Sequence, residues 1–363
     1  MNSSTKCPRI TFDCIIFGLQ EFGGISNYWD RLTSRAQASG DYEVEMLLPR
    51  VVISRAYVPG KFVDTIMMHE QLAARLSRYM PARARDDSVF HTSYYRLPRN
   101  RVKKYVVTVY DFIYERFRSG LPSWVHKQQK LASIRRADEV ICISEYTRKD
   151  VLEFCPDIDP ARIHVVPLAV DPAVFFLDRV TPADIVRNEV LFVGHRGGYK
   201  RFDLAVKAVR QSPRLRLGIV GPSPTQEEQT LLTDRLGARW THHGLVPTEQ
   251  LRRLYAEAFC FVFPSDYEGF GLPLLEAMAC GCPVVSSAAA SLPEVGGQAA
   301  LYAAKQTAES YAAAFADLQR AGQREQRIAG GLSRSQEFSW GLTCDRTFAI
   351  YGLPETAIIG SVA

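Results

Sequence analysis

At 363 residues, with 47% apolar and 23% charged side chains, the chain has the composition of a globular protein long enough for two domains. No run approaches the roughly 18 apolar residues that cross a bilayer, and Met1 to Pro8 lacks the apolar core of a secretory signal, so a cytoplasmic chain is expected. The net charge of +5 lies wholly in the first half: residues 1–180 hold 26 Lys and Arg against 21 Asp and Glu, whereas residues 181–363 hold 18 of each. The excess is densest between 75 and 104, where Arg75, Arg78, Arg83, Arg85, Arg96, Arg99, Arg101, Lys103 and Lys104 face only Asp86 and Asp87. Such a segment suits an anionic partner, a phosphate-bearing acceptor or the inner face of the cytoplasmic membrane, where a peripheral contact is expected. It equally suits a solvated loop with salt partners elsewhere. Nucleic acid is not expected, because no aromatic stacking platform accompanies the charge. Eight scattered cysteines without a Cys-x-x-Cys set read as reduced, mostly buried thiols.

In chain order, short apolar and β-branched runs are expected as strands at 11–17, 43–48, 104–109, 139–143, 164–167, 189–193, 215–220, 260–263 and 283–286, most followed by a loop and a helical pattern. That is the βαβ rhythm of an α/β protein with parallel, doubly wound sheets. Two runs of it, joined by an irregular stretch near 171–188, predict a Rossmann-like domain over 1–178 and a second over 179–335. Residues 336–363 are expected as a C-terminal helix that could pack on either half, including a return to the first. Ligands of such sheets bind at the carboxyl ends of the strands, and two halves add a cleft between them.

The richest segment begins at Cys260 and runs through Glu268-Gly-Phe-Gly-Leu-Pro-Leu-Leu-Glu276 to Pro283. A buried strand ending at Pro264, a glycine-bearing loop, and a short helix opened by Pro273 and closed by Gly281 are expected. Gly269 and Gly271 let the backbone approach a ligand, and the helix start offers free N–H groups to an anion. Glu268 and Glu276 flank those amides, so a phosphate on the amides with sugar hydroxyls at either side describes a nucleotide sugar.

These residues resemble the signature of the retaining nucleotide-sugar glycosyltransferases of glycosyltransferase family four, which have the GT-B fold, and the resemblance extends over nearly the whole chain. It implies that Glu268 holds the hexose, Glu276 the ribose, and the loop Gly269, Phe270, Gly271 and Leu272 the diphosphate. Gly194-His-Arg196-Gly-Gly-Tyr-Lys200 resembles the family's cationic block, which makes Arg196 and Lys200 a diphosphate clamp. Gly221 and the pair Leu245 and Val246 lie on loops that hold the base in the family. Gly23 and Gly24 resemble its glycine loop facing the donor phosphates. The blocks 91–98 and 107–115 resemble a bacterial subgroup that builds surface polysaccharides, and place Tyr28, His91, Tyr110 and Asp111 towards the acceptor. Many relatives carry His-Asp where this chain has Tyr110-Asp111, so a role needing an imidazole there is in doubt.

The resemblance implies a transfer in which Asp111, Glu268, Arg196 and Lys200 do the catalytic work without a metal or other cofactor. The donor is expected to be a nucleoside diphosphate sugar, GDP-mannose or a deoxyhexose derived from it, with UDP open. The acceptor is expected to be a lipid-linked or lipopolysaccharide glycan of O-antigen type. A silent scaffold or glycan-binding subunit and a sugar-nucleotide epimerase on the same fold are the competing readings. A nicotinamide dehydrogenase is excluded by the lack of a Gly-x-Gly-x-x-Gly turn after the first strand.

Overall fold

The computed structural model describes residues 7–20, 23–49, 76–177 and 187–352. It divides into two compact units, 1–168 with 340–363, and 169–339. The expected limits at 178 and 335 thus fall at 168 and 339. The segment after Leu168 packs within the second unit, where the Arg252 guanidinium lies 4.1 Å from the centre of the Phe176 ring. The helix Trp340–Ile350 packs within the first: its Asp345 meets Arg35 at 2.9 Å, and Trp340 lies against the Tyr28 ring.

Among the described residues the first unit has a six-stranded parallel sheet of order β2-β1-β3-β4-β5-β6. Its strands are β1 (Arg9–Asp13), β2 (Glu43–Leu47), β3 (Ser88–Thr92), β4 (Lys104–Val109), β5 (Glu139–Cys142) and β6 (Ile163–Val165). The apolar run expected as one strand over 11–17 ends at Asp13, and Ile15–Gly18 turns as a short 3-10 helix, equally buried. Burial alone made the two look continuous. β3 was not expected, because Ser88, His91 and Thr92 interrupt its apolar pattern. All five of its residues are buried, and the polar ones are satisfied by cross-strand bonds: Thr11 Oγ1 donates to Ser88 Oγ at 2.8 Å and Thr92 Oγ1 to Asp13 Oδ2 at 3.0 Å.

The second unit has a parallel sheet of order β12-β11-β10-β7-β8-β9. Its strands are β7 (Glu189–Val193), β8 (Arg216–Val220), β9 (Trp240–Gly244), β10 (Cys260–Phe263), β11 (Val284–Ser286) and β12 (Leu301–Tyr302). Val190, Phe192, Leu217, Ile219 and Val262 point from it into one core with Phe202, Val206 and Phe315 of the covering helices. In both sheets the chain leaves a central strand in opposite directions. The reversals fall between β1 and β3 and between β7 and β10, which is where crevices open in such sheets. The cysteines are free, and all but Cys7 are buried.

Candidate active site

In the second unit the loops after β7 and β10 meet at the reversal. Asp266 N donates to Tyr199 O at 2.7 Å, and Lys200 Nζ reaches Glu268 Oε1 at 2.8 Å. Both side chains are mostly shielded, at 15% and 13% exposure, so the pair is screened less than a surface ion pair. Ser265 Oγ donates to the same Glu268 oxygen at 2.8 Å. Ser291 Oγ lies within hydrogen-bond distance of both Glu268 O (2.8 Å) and Phe270 O (2.9 Å), pinning the backbone on either side of Gly269. Gln306 Nε2 donates to Pro264 O at 2.9 Å and Asp266 Oδ1 at 2.8 Å, and Arg201 approaches Asp266 at 3.4 Å. Ser265, Ser291, Arg201 and Gln306 were not singled out from the sequence. Ser291 and Gln306 bond groups more than twenty residues away, and an isolated Ser in an Ala-rich stretch carries no pattern.

The helix Leu272–Ala279 follows, with Pro in its first turn and Gly271 at its N-cap with φ +95°. That backbone favours glycine, and a Cβ at Gly271 would also press against the tip of the Leu292 side chain at 2.7 Å. Phe270 is 3% exposed and packs edge-on against Phe338, so its ring belongs to the core and only its backbone is left for a ligand. Glu276 sits one turn into the helix, where burial pushes its carboxyl up to about 7 while Tyr255 pulls it down.

Arg196, expected in the clamp, is held in part by other groups. Its Nε donates to Glu228 Oε2 at 3.0 Å and its Nη2 to Ser223 O at 3.0 Å, away from Lys200, and Nη1 is buried without a partner. Glu228 also closes a capping box with Thr225 at the start of Gln226–Leu236, and that local bond sets where the guanidinium goes. Gly194 and Gly221 lie side by side: a Cβ on Gly221 would stand 2.7 Å from Gly194 O. His242 Nε2 bonds Gly221 O at 3.0 Å, and Leu245, 82% exposed, heads the next loop with Val246 half-buried behind it.

The first unit corrects three assignments. Tyr28, His91 and Tyr110 are 1%, 0% and 4% exposed. His91 spends both ring nitrogens inside, Nδ1 with Tyr351 Oη at 2.7 Å and Nε2 with Thr108 Oγ1 at 2.8 Å, and burial lowers its pKa to about 3. Tyr110 Oη accepts from Trp29 Nε1 at 2.5 Å, and Tyr28 packs edge-on against both rings. All three brace the sheet and have no surface to offer an acceptor. Asp111 is half-buried, and its Oδ1 accepts from Ile113 N at 3.0 Å. Gly23 and Gly24 open the helix Gly24–Ser39, where the Gln20 carboxamide already accepts from Ser26 N at 3.0 Å. Of the basic segment, Arg85, Arg96 and Lys104 are paired with Glu43, Asp13 and Glu139. Arg99, Arg101 and Lys103 are exposed and make no ion pair among the described residues. No helix among them is long and apolar enough to cross a membrane.

Two doubly wound units, with a cation and a carboxylate joined at the reversal of the second, define the GT-B class. Family models agree: residues 22–174 match "Glycosyltransferase Family 4" and residues 177–330 match "Glycosyl transferases group 1", together more than four fifths of the chain. The chain belongs to glycosyltransferase family four. Alpha-maltose-1-phosphate synthase of Mycolicibacterium smegmatis is 33% identical over 260 residues, 63% of this chain and 65% of that protein. O-antigen chain mannosyltransferase B of Escherichia coli is 48% identical over 111 residues, 30% of this chain and 29% of that protein. The chain thus spans less than two thirds of the length of either relative. The fold is shared with sucrose-phosphate synthase of Thermosynechococcus elongatus at a TM-score of 0.71 and 20% identity, over 95% of this chain and 98% of that one.

Proposed function

We propose that the chain is a retaining, metal-independent hexosyltransferase that moves mannose, or a deoxyhexose derived from it, from a GDP-linked donor to a lipid-linked or lipopolysaccharide glycan. The observation that carries this reading is the Lys200–Glu268 pair at the strand reversal, directly ahead of the Leu272–Ala279 helix. The 48% identity to an O-antigen mannosyltransferase supports the choice of sugar and acceptor.

An acceptor hydroxyl oxygen forms its bond to the anomeric carbon on the face from which the diphosphate departs. The carbon–oxygen bond to phosphate breaks, its electron pair stays on the phosphate oxygen, and that oxygen takes the acceptor's proton. Lys200 and the first N–H groups of the helix offset the charge growing on the leaving group, with Arg196 adding the one nitrogen that Glu228 and Ser223 leave free. Glu268 accepts from hexose hydroxyls and Glu276 from the ribose. Asp111 offers the sugar its second carboxylate oxygen. Positioning and charge neutralisation supply the rate, and no metal takes part. Proton NMR of the product made from an α-linked donor in excess EDTA tests this: an α-linked hexoside at an unchanged rate is expected. A β-linked product, or a loss of rate that magnesium restores, contradicts it.

The ribose assignment carries a pH dependence. Hydroxyls donate to a carboxylate, so nucleotide binding favours ionised Glu276, whose carboxyl titrates at about 7. Affinity for the nucleoside diphosphate should therefore rise about tenfold between pH 6 and pH 8, and Glu276→Gln should flatten the profile. A flat profile in the unaltered protein, measured by titration calorimetry, contradicts the assignment.

A further inference from the structure

Backbone strain gathers around the Lys200–Glu268 pair. Among the described residues, three that are not glycine hold a left-handed backbone: Tyr95 at φ +60°, Arg201 at φ +48° and Ala290 at φ +51°. Two of the three border this pair. Arg201 directly follows Lys200, and Ala290 directly precedes Ser291, whose hydroxyl faces the carbonyls of Glu268 and Phe270. A side chain in this region crowds its own backbone, so such residues persist where surrounding contacts impose them, and they concentrate at working sites. Glycine would take the same turn freely, so the turn itself does not call for an arginine at 201.

The Arg201 guanidinium joins the two loops of the site. Arg201 ends the turn Gly198–Lys200 and stands at the N-cap of the helix Phe202–Arg210 without a capping bond from its side chain. Instead its Nη1 reaches both oxygens of Asp266, at 3.5 and 3.4 Å, and its Nε reaches Asp203 Oδ1 at 3.4 Å. Asp203 is also held by Lys207, one turn on, at 2.9 Å. Asp266 is the joint. Its N–H donates to Tyr199 O at 2.7 Å, and its Oδ1 accepts from Gln306 Nε2 at 2.8 Å. The Gln306 carboxamide oxygen in turn accepts from Tyr311 Oη. Asp266 therefore holds residues 199 and 201, on either side of Lys200, while standing two positions ahead of Glu268. Fixing both neighbours of a lysine narrows the space its ammonium can reach, and a charge fixed before the ligand arrives needs no reorganisation to meet it.

We propose that Arg201 is a positioning residue: tied to Asp266 in a left-handed backbone, it aims Lys200 at the donor's diphosphate. The diphosphate rests on the function proposed above; the strained joint does not. Arg201 touches no ligand in this role. It acts through its neighbour, so its removal weakens nucleotide binding only where Lys200 is present.

The test pairs thermal unfolding with GDP titration calorimetry on the full chain. Arg201→Gly releases the strain, so its melting temperature should equal or exceed that of the unaltered protein, while its affinity for GDP falls about fivefold. A merely structural residue would move the two together. Asp266→Asn keeps an acceptor for Gln306 but loses the charge that Arg201 meets, and should weaken GDP by a similar factor. Asp203→Asn should leave GDP affinity within about twofold, since that carboxylate does not join the loops. Added to Lys200→Ala, Arg201→Gly should change GDP affinity by less than about twofold. The proposal is overturned if Arg201→Gly leaves GDP affinity intact, if it lowers the melting temperature, or if it weakens GDP as much without Lys200 as with it. An unaltered protein that binds neither GDP nor UDP loses the glycosyltransferase reading and this role together, whereas GDP binding that ignores Arg201→Gly removes the positioning role alone.

Discussion

Replacing Glu268 or Lys200 by Ala should each lower turnover about 10- to 150-fold, the loss of a charged contact of about 1.5–3 kcal/mol. The two losses should differ in kind. In the proposed role Lys200 would meet charge that grows on the leaving diphosphate, so Lys200→Ala should lower kcat and kcat/KM together. In its proposed role Glu268 would hold hexose hydroxyls before and during transfer, so Glu268→Ala should raise KM as well. The single effects should not add. In the free protein the two side chains hold each other at 2.8 Å, and removing one leaves the other shielded, with Ser265 as the remaining neighbour of Glu268. The double variant should therefore lose less than the two singles combined. Steady-state kinetics of the three variants decides it, and near-normal kinetics in either single variant would falsify the assignment.

The largest expected effect on stability lies elsewhere, at Lys130. Its ammonium meets Glu115 Oε2 at 2.9 Å and donates to Asp111 O at 2.6 Å, and the two side chains of the pair are 1% and 3% exposed. Lys130→Met removes one partner of a buried pair and leaves the Glu115 carboxylate enclosed, a loss of about 3–5 kcal/mol. The double change Lys130→Met with Glu115→Leu removes both charges and should recover most of that loss, because the pair's mutual attraction does little more than offset its own desolvation. Urea unfolding followed by tryptophan emission measures this within one unit, since Trp29, Trp124 and Trp340 lie in the first unit and only Trp240 in the second. A double variant as unstable as the single one contradicts the account.

What could be read from residues alone divides along physical lines. β4, β7 and β10 span the expected 104–109, 189–193 and 260–263, because strands buried along most of their length are mostly apolar in sequence. The segment around Glu268 was equally legible, since a Gly-rich loop, a Pro-opened helix and two acids lie within nine residues. That Glu228, thirty-two positions on, holds one edge of the Arg196 guanidinium was not legible, because a bond over that distance leaves no local signal. His91 and Tyr110 looked functional for the reason that made β3 invisible: polar residues within a buried sheet pair with each other, and a linear reading cannot distinguish a satisfied core His from an exposed one.

On the proposed reading the second unit binds a nucleoside diphosphate at Lys200 and the start of the Leu272–Ala279 helix. Titration calorimetry with GDP and UDP, on the unaltered protein and on Lys200→Ala, tests it most directly. One site per chain is expected, tighter for GDP than for UDP and weakened about tenfold or more by Lys200→Ala. Absence of binding by both nucleotides, or binding that Lys200→Ala leaves unchanged, contradicts it.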